Sequence, residues 1–171
     1  MSNDKLANPT ITYWLVDYGA IANPLVPLAT EISNTTFSYN ISTALDNSTA
    51  HANAAASDTN KELLITDNSQ SEVPTFYNYG FTPNGRLDAV NTTAGSVYNL
   101  YVNKVKAAGA RYWVVKRIGY LSTVAATAGQ EVSLYDMTTD NPQLQITDKA
   151  MLKVKASFLA NGQLVSKVAL S

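Results

Sequence analysis

No cysteine occurs in the 171 residues, and histidine occurs once. Without thiols the chain forms no disulfide framework, no Cys-ligated zinc site and no iron–sulfur centre. Charge is scarce too. Asp, Glu, Lys and Arg make up 15 % of the chain, against roughly 25 % in an average soluble domain. A net charge of −1 excludes a strongly basic nucleic-acid binder. No run of about 18 apolar residues exists, so no membrane span is expected. The polar start, Met1-Ser2-Asn3-Asp4-Lys5, lacks the apolar stretch of a signal peptide.

Hydrophobic residues, at 46 %, suffice for a real core, and the length fits one domain over residues 1–171. Asn, Ser, Thr and Ala replace the missing charge. Ten Tyr and two Trp have two readings. They serve an interface, whose centre is depleted in charge and enriched in aromatics, or they are strand formers in a β-rich domain.

Residues 1–10 read as an arm ending in the turn signal Asn8-Pro9. Residues 11–17 (ITYWLVD) form a buried strand by composition. Residues 19–35, with Asn23-Pro24 and Pro27, form an irregular connection, after which Phe37, Tyr39 and Ile41 alternate with Ser38, Asn40 and Ser42 as a half-buried strand. Residues 43–60 hold small and polar side chains with no large apolar period, which predicts a long exposed excursion. Short strands are expected at Leu63-Leu64-Ile65 and through Tyr77, Tyr79 and Phe81.

One helix is predicted, over 94–108. Val97, Leu100, Tyr101, Val105 and Ala108 make a single stripe, Thr92, Thr93 or Ser96 caps its start, and Gly109 stands as its C-terminal glycine. Strands are expected at 111–118 and 130–136. Asn161-Gly162 predicts a two-residue turn closing a hairpin over 150–170. One face of that hairpin carries Val154, Ala156, Phe158 and Val165 toward the core. The other mixes Lys153, Lys155, Ser157, Ser166 and Val168, which suits a wet cavity or a neighbour's surface.

Charge is also uneven along the chain. Up to Gly85 eight acids face two bases, a net of −6; from Arg86 onward ten bases face five acids, a net of +5. Either the two portions intermix in one fold, or they give complementary ends that favour head-to-tail contacts.

Residues that could carry chemistry are few. His51 sits in the Ala/Asn-rich stretch with no nucleophile assigned to it, no Gly-rich phosphate loop occurs, and the carboxylates lie scattered in turn contexts. Neither an enzyme nor a cofactor or metal site is expected.

The helix of 94–108, the strand Arg111-Tyr112-Trp113-Val114-Val115-Lys116-Arg117-Ile118, the run Ala128-Gly129-Gln130-Glu131-Val132-Ser133-Leu134-Tyr135 and a closing hairpin follow one another in an order that resembles the major tail (tail tube) proteins of long-tailed bacteriophages. The resemblance covers roughly residues 90–171; the N-terminal half matches it in layout.

It implies a mainly-β subunit, a β-sandwich or barrel-like fold with one flanking helix and a long inter-strand loop. It further implies homo-hexameric rings stacked head to tail, contacts with other tail proteins, passage of genomic DNA without sequence-specific binding, and a place in the virion tail after synthesis in the host cytoplasm. The long loop, 43–75, would reach an adjacent ring through Asp46, Asn47, His51, Asn53, Asp58, Asp67 and Glu72. Lys153, Lys155, Ser157, Ser166 and Val168 would line the lumen or meet a neighbour. Such lumens are commonly electronegative, so either the lysines pair with acids such as Glu131 or Asp136, or the faces are reversed. Deleting residues 46–57 is expected to leave a folded subunit that stacks poorly. The rival reading is a monomeric carbohydrate-binding or adhesin-type β domain that uses Tyr and Trp as sugar platforms.

Overall fold

The computed structural model describes residues 10–46, 49–56, 58–60, 73–76, 78–88, 96–146 and 152–171, with 50, 58–60 and 73–76 described through the backbone alone. The fold is mainly β, built on a curled seven-stranded antiparallel sheet. Its strands are β1 (Ile11–Asp17), β2 (Ser38–Asn40), β3 (Ala50–Ala54), β6 (Tyr79–Thr82), β8 (Arg111–Ile118), β9 (Glu131–Thr139) and β12 (Phe158–Ala169), in the order β2-β1-β8-β9-β12-β6-β3. A second sheet joins β10 (Gln143–Gln145), β11 (Lys153–Lys155) and β7 (Asn84–Arg86), and a two-stranded ribbon pairs β4 (Asp58–Asn60) with β5 (Val73–Phe76).

The central strands are apolar at consecutive positions because both sheet faces are covered, a condition that removes the usual alternation. In register across β1, β8 and β9, Leu15, Val114 and Tyr135 form a row on one face. Trp14, Val115 and Leu134 form the next row, on the other face. The first face packs against helix α2 (Val97–Val105) and the small sheet, through Tyr101, Val105, Val154 and Ala156. The second packs against helix α1 (Ala29–Ser33) and two loops, through Ile21, Ile32, Ala126 and Leu170.

Helix α2 follows its apolar stripe, with Tyr101 and Val105 fully buried and Ser96 capping its start. Gly109 differs from its expected role. Its φ of +85° turns the chain, and its N–H donates to Thr139 O in β9 rather than to a helix carbonyl. A second helix, α1, lies inside the connection of 19–35 that sequence left irregular. At five residues it is too short to show a period. The Glu31 carboxylate accepts from the N–H groups of Ala22 and Leu28, both at 3.0 Å, and ties the loop to it.

Two larger expectations are corrected. The stretch 43–60 is not a plain excursion. It holds the 3-10 turn Ser42–Ala44 near its start, then β3 and β4. Because β3 pairs with β6 and β4 with β5, these four strands form a nested hairpin arm. The hairpin of 150–170 does not form either. Residues 158–169 run as one strand alongside β9, with register shifts between Ala160 and Leu164 and between Val165 and Val168. Asn161 lacks the positive φ that the predicted turn needs. A competing set of partners holds the chain straight. Asn161 Nδ2 donates to Asp136 Oδ1 (3.1 Å) and Thr138 Oγ1 (2.8 Å), while the Asn161 and Gly162 N–H groups donate to the Tyr79 hydroxyl.

Strand β6 begins at Tyr79; Tyr77, the expected strand at 63–65, and residues 1–9 of the expected arm lie outside the described residues.

Candidate assembly surfaces

The base of the hairpin arm is clipped to the sheet's first face by side chains. Ala52, fully buried, donates its N–H to the Tyr13 hydroxyl (3.2 Å), and its carbonyl accepts from Lys116 Nζ (2.8 Å) and the Tyr135 hydroxyl (3.3 Å). The Tyr13 hydroxyl also shares a hydrogen bond with His51 Nδ1, 3.1 Å away, and the two rings stack. Burial pushes the Tyr13 hydroxyl well above its ordinary pKa, so it stays a donor. His51 is pushed down by burial and then by Lys116. Both effects favour the neutral ring. Asn53 Oδ1 accepts a second bond from Lys116 Nζ (3.1 Å).

Asp46 gathers the basic groups of the small sheet. Lys153 Nζ lies 3.0 Å and Arg86 Nε 3.7 Å from its Oδ2. The partner of Lys153 is therefore Asp46, not Glu131 or Asp136. The buried Asp136 carboxylate instead takes Arg111 in a two-pronged pair, whose Nε–Oδ1 arm is 2.8 Å. That pair and the hydrogen bond within it raise the Arg111 pKa. The Arg111 guanidinium also covers the ring of Tyr18 at 3.7 Å.

Phe158 pairs with both Phe81 and Thr139, and Asn161 and Gly162 reach the Tyr79 hydroxyl of β6; beyond Gly162 the ladder of β12 among the described residues is with β9 alone. Its other edge stands beside an open groove of about 580 Å³, lined by Asn53, Lys116, Glu131, Tyr135, Ser166 and Lys167 among others. Lys167 occupies a left-handed conformation (φ 52°) at the second register shift, where its N–H finds Ser133 Oγ at 3.2 Å. Bulges of this kind bend an edge strand and interrupt its ladder.

The expected site residues are divided among these places. Asp46, His51 and Asn53 are engaged within the subunit at the base of the arm. Asp58 begins the β4–β5 ribbon; Asn47, Asp67 and Glu72 lie outside the described residues. Lys153 and Lys155 flank the buried Val154 on β11, and Ser157 follows them. Ser166 and Val168 lie on the far part of β12, in another sheet, so the five do not share one hairpin face.

Sequence reasoning missed Arg117. It is fully buried, with no carboxylate of the described residues paired to it, and burial lowers its pKa. Its guanidinium donates to the carbonyls of Leu121 (3.1 Å), Val124 (2.7 Å) and Ala125 (3.1 Å) and to Gln130 Oε1 (2.8 Å). The ring of Trp14 lies 4.7 Å and that of Tyr120 5.2 Å from its Cζ. An arginine inside the apolar run YWVVKRI is the signal that pointed to it.

These surfaces define a mainly-β subunit whose polar side chains are spent on holding strands and loops in place. Among the described residues, no group of three or more His, Asp or Glu could hold a metal ion, and no helix is long and apolar enough to cross a membrane. The family model described as phage tail tube protein matches residues 1–171. The chain belongs to that family: it is a structural component of a phage tail, and the family implies assembly with itself and with other tail proteins. No individual curated protein matches the chain.

Proposed function

We propose that the subunits close into rings of six that stack head to tail, forming the tail tube through which genomic DNA passes without sequence-specific contacts. The observation that carries this reading is the one-sided pairing of β12 beyond Gly162, which among the described residues leaves an edge open beside the groove. An unpaired edge is a template for another chain. Pairing it with a neighbouring subunit continues the curl of the sheet around a ring. The edge of β3 is less available for this, because side chains already satisfy both backbone groups of Ala52.

In this reading the chain has no catalytic role. The hairpin arm reaches the adjacent ring, with contact made beyond its base, by Asp58, Asp67 and Glu72 rather than by Asp46 or His51. Ser166 meets the lateral neighbour at the open edge, while Lys153, Lys155 and Ser157 face the lumen or an interface from the small sheet. Negative-stain electron microscopy of the purified protein is expected to show rings or rods. A strictly monomeric species at every concentration overturns the proposal.

A further inference from the structure

Among the described residues, most of the exposed large apolar side chains fall on two surfaces that lie on opposite sides of the main sheet. On the side of α1, Leu25 (69 % exposed), Val26 and Leu28 stand out from one loop, and Tyr120, Leu121 (53 %) and Val124 from another. Residues 18–30 and 119–130 carry no charged side chain at all. Both segments are backed firmly. Ile21 and Ala126 enter the core of the second face. Ser33 Oγ joins α1 to Ala126 O at 3.2 Å, and Ser171 exchanges backbone bonds with Pro27 and Ala29. Arg117 holds the carbonyls of Leu121, Val124 and Ala125 from beneath, so the apolar side chains project from a fixed backbone. A shelf of this kind gives up little freedom on binding.

The second surface belongs to the small sheet, which packs on the opposite face. Leu144 is in register with Val154 and therefore points to the same side. Yet Val154 is buried while Leu144 is 55 % exposed, and Ile146 beyond it is 74 % exposed. The apolar side of β10 thus overhangs the subunit's own core. Residues 141–146 are also uncharged.

We propose that the overhang around Leu144 and Ile146 of one copy of this chain seats on the shelf of residues 18–30 and 119–130 of the next. Two uncharged apolar surfaces match each other, and neither matches the charged groups elsewhere on the subunit. Their places on opposite sides make the contact heterologous, so that it repeats from copy to copy rather than closing in a pair. The proposal rests on the chain assembling with itself, as the tube reading holds. Arg117 is a positioning residue for the shelf.

The test compares Leu121→Glu, Ile146→Lys and the double variant with the unsubstituted protein, following rod formation against concentration by light scattering and electron microscopy. Both sites are exposed, so circular dichroism melts should be unchanged. Each single variant buries an unpaired charge in the contact and should raise the concentration needed for assembly by at least ~10-fold. The double variant places opposite charges face to face in every contact and should recover much of that loss. Single variants that assemble normally overturn the proposal, including the outcome in which the shelf instead binds another tail protein. Impaired single variants without recovery in the double variant also overturn it, because the two surfaces then do not meet. Failure of the unsubstituted protein to assemble at all removes the tube reading itself, and this contact with it.

Discussion

Gly85 lies directly beneath the ring of Tyr101. A methyl group added there would sit 2.2 Å from Cε1 and 2.4 Å from Cδ1. The ring cannot move aside, because Tyr101 is fully buried and its hydroxyl lies between the carbonyls of Pro83 (3.1 Å) and Val154 (3.3 Å). Gly85→Ala should therefore lower stability by about 1–3 kcal/mol, the usual cost of overpacking; an unchanged urea midpoint would refute this. His51 gives a second residue-scale expectation. Its Nδ1 shares a hydrogen bond with the Tyr13 hydroxyl, and burial holds its pKa below the ordinary 6.5. As pH falls through that ordinary value, the unfolded chain takes up the proton before the folded one. Stability is then lost down to the folded pKa. Denaturation at about pH 5.5 should show a lower midpoint than at about pH 7.5. His51→Asn, which keeps an acceptor near Nδ1 but does not titrate, should flatten that difference. Since His51 is the only histidine, an equal slope in the variant would remove it as the cause.

At the scale of elements, the hairpin arm and β12 carry the lessons. Deleting residues 46–57, reasonable for an excursion, would remove β3, the buried Ala52 and the Asp46 partner of Lys153. Such a variant would fail to fold rather than fail to stack. The arm is better shortened at its ribbon. Ala55 N–H donates to Asn78 O at 2.6 Å and Asn78 Nδ2 to Ala56 O at 3.1 Å, so the chain ends left by removing 57–77 lie close together. Replacing 57–77 with a short Gly-Ser linker should leave a cooperatively melting subunit that stacks poorly. Tubes of normal length from that variant would refute the arm's role between rings. Little of this arm was legible, because β3 has no side-chain pattern of its own; Tyr13, Lys116 and Tyr135 fix it from other strands. Strands β1 and β8 were legible, since their runs of aromatic and β-branched residues specify a strand locally.

At the scale of the whole molecule, the unevenly charged portions of the sequence intermix among the described residues rather than standing apart. The strand order sets β1 beside β8, and β6 beside β12, interleaving the acidic and basic portions. Asp17 meets Lys104 at 3.9 Å, and Asp46 meets both Arg86 and Lys153, so acids from the first portion are matched by bases from the second. Asp, Glu, Lys and Arg together make up only 15 % of the chain, so it is poor in charge throughout. That poverty, the absence of thiols, the mainly-β character and the α2 stripe were all determined by the sequence alone, because each depends on residue type or on neighbours within a few positions. Tertiary structure decided the rest. Asn161-Gly162 became a bulge instead of a turn once Tyr79 and Asp136 supplied partners from distant strands. Arg117 became a buried clamp because the carbonyls of 121–125 fold over it. A hydrogen-bonding group takes whichever partner the fold brings within reach, and the local sequence does not specify that partner.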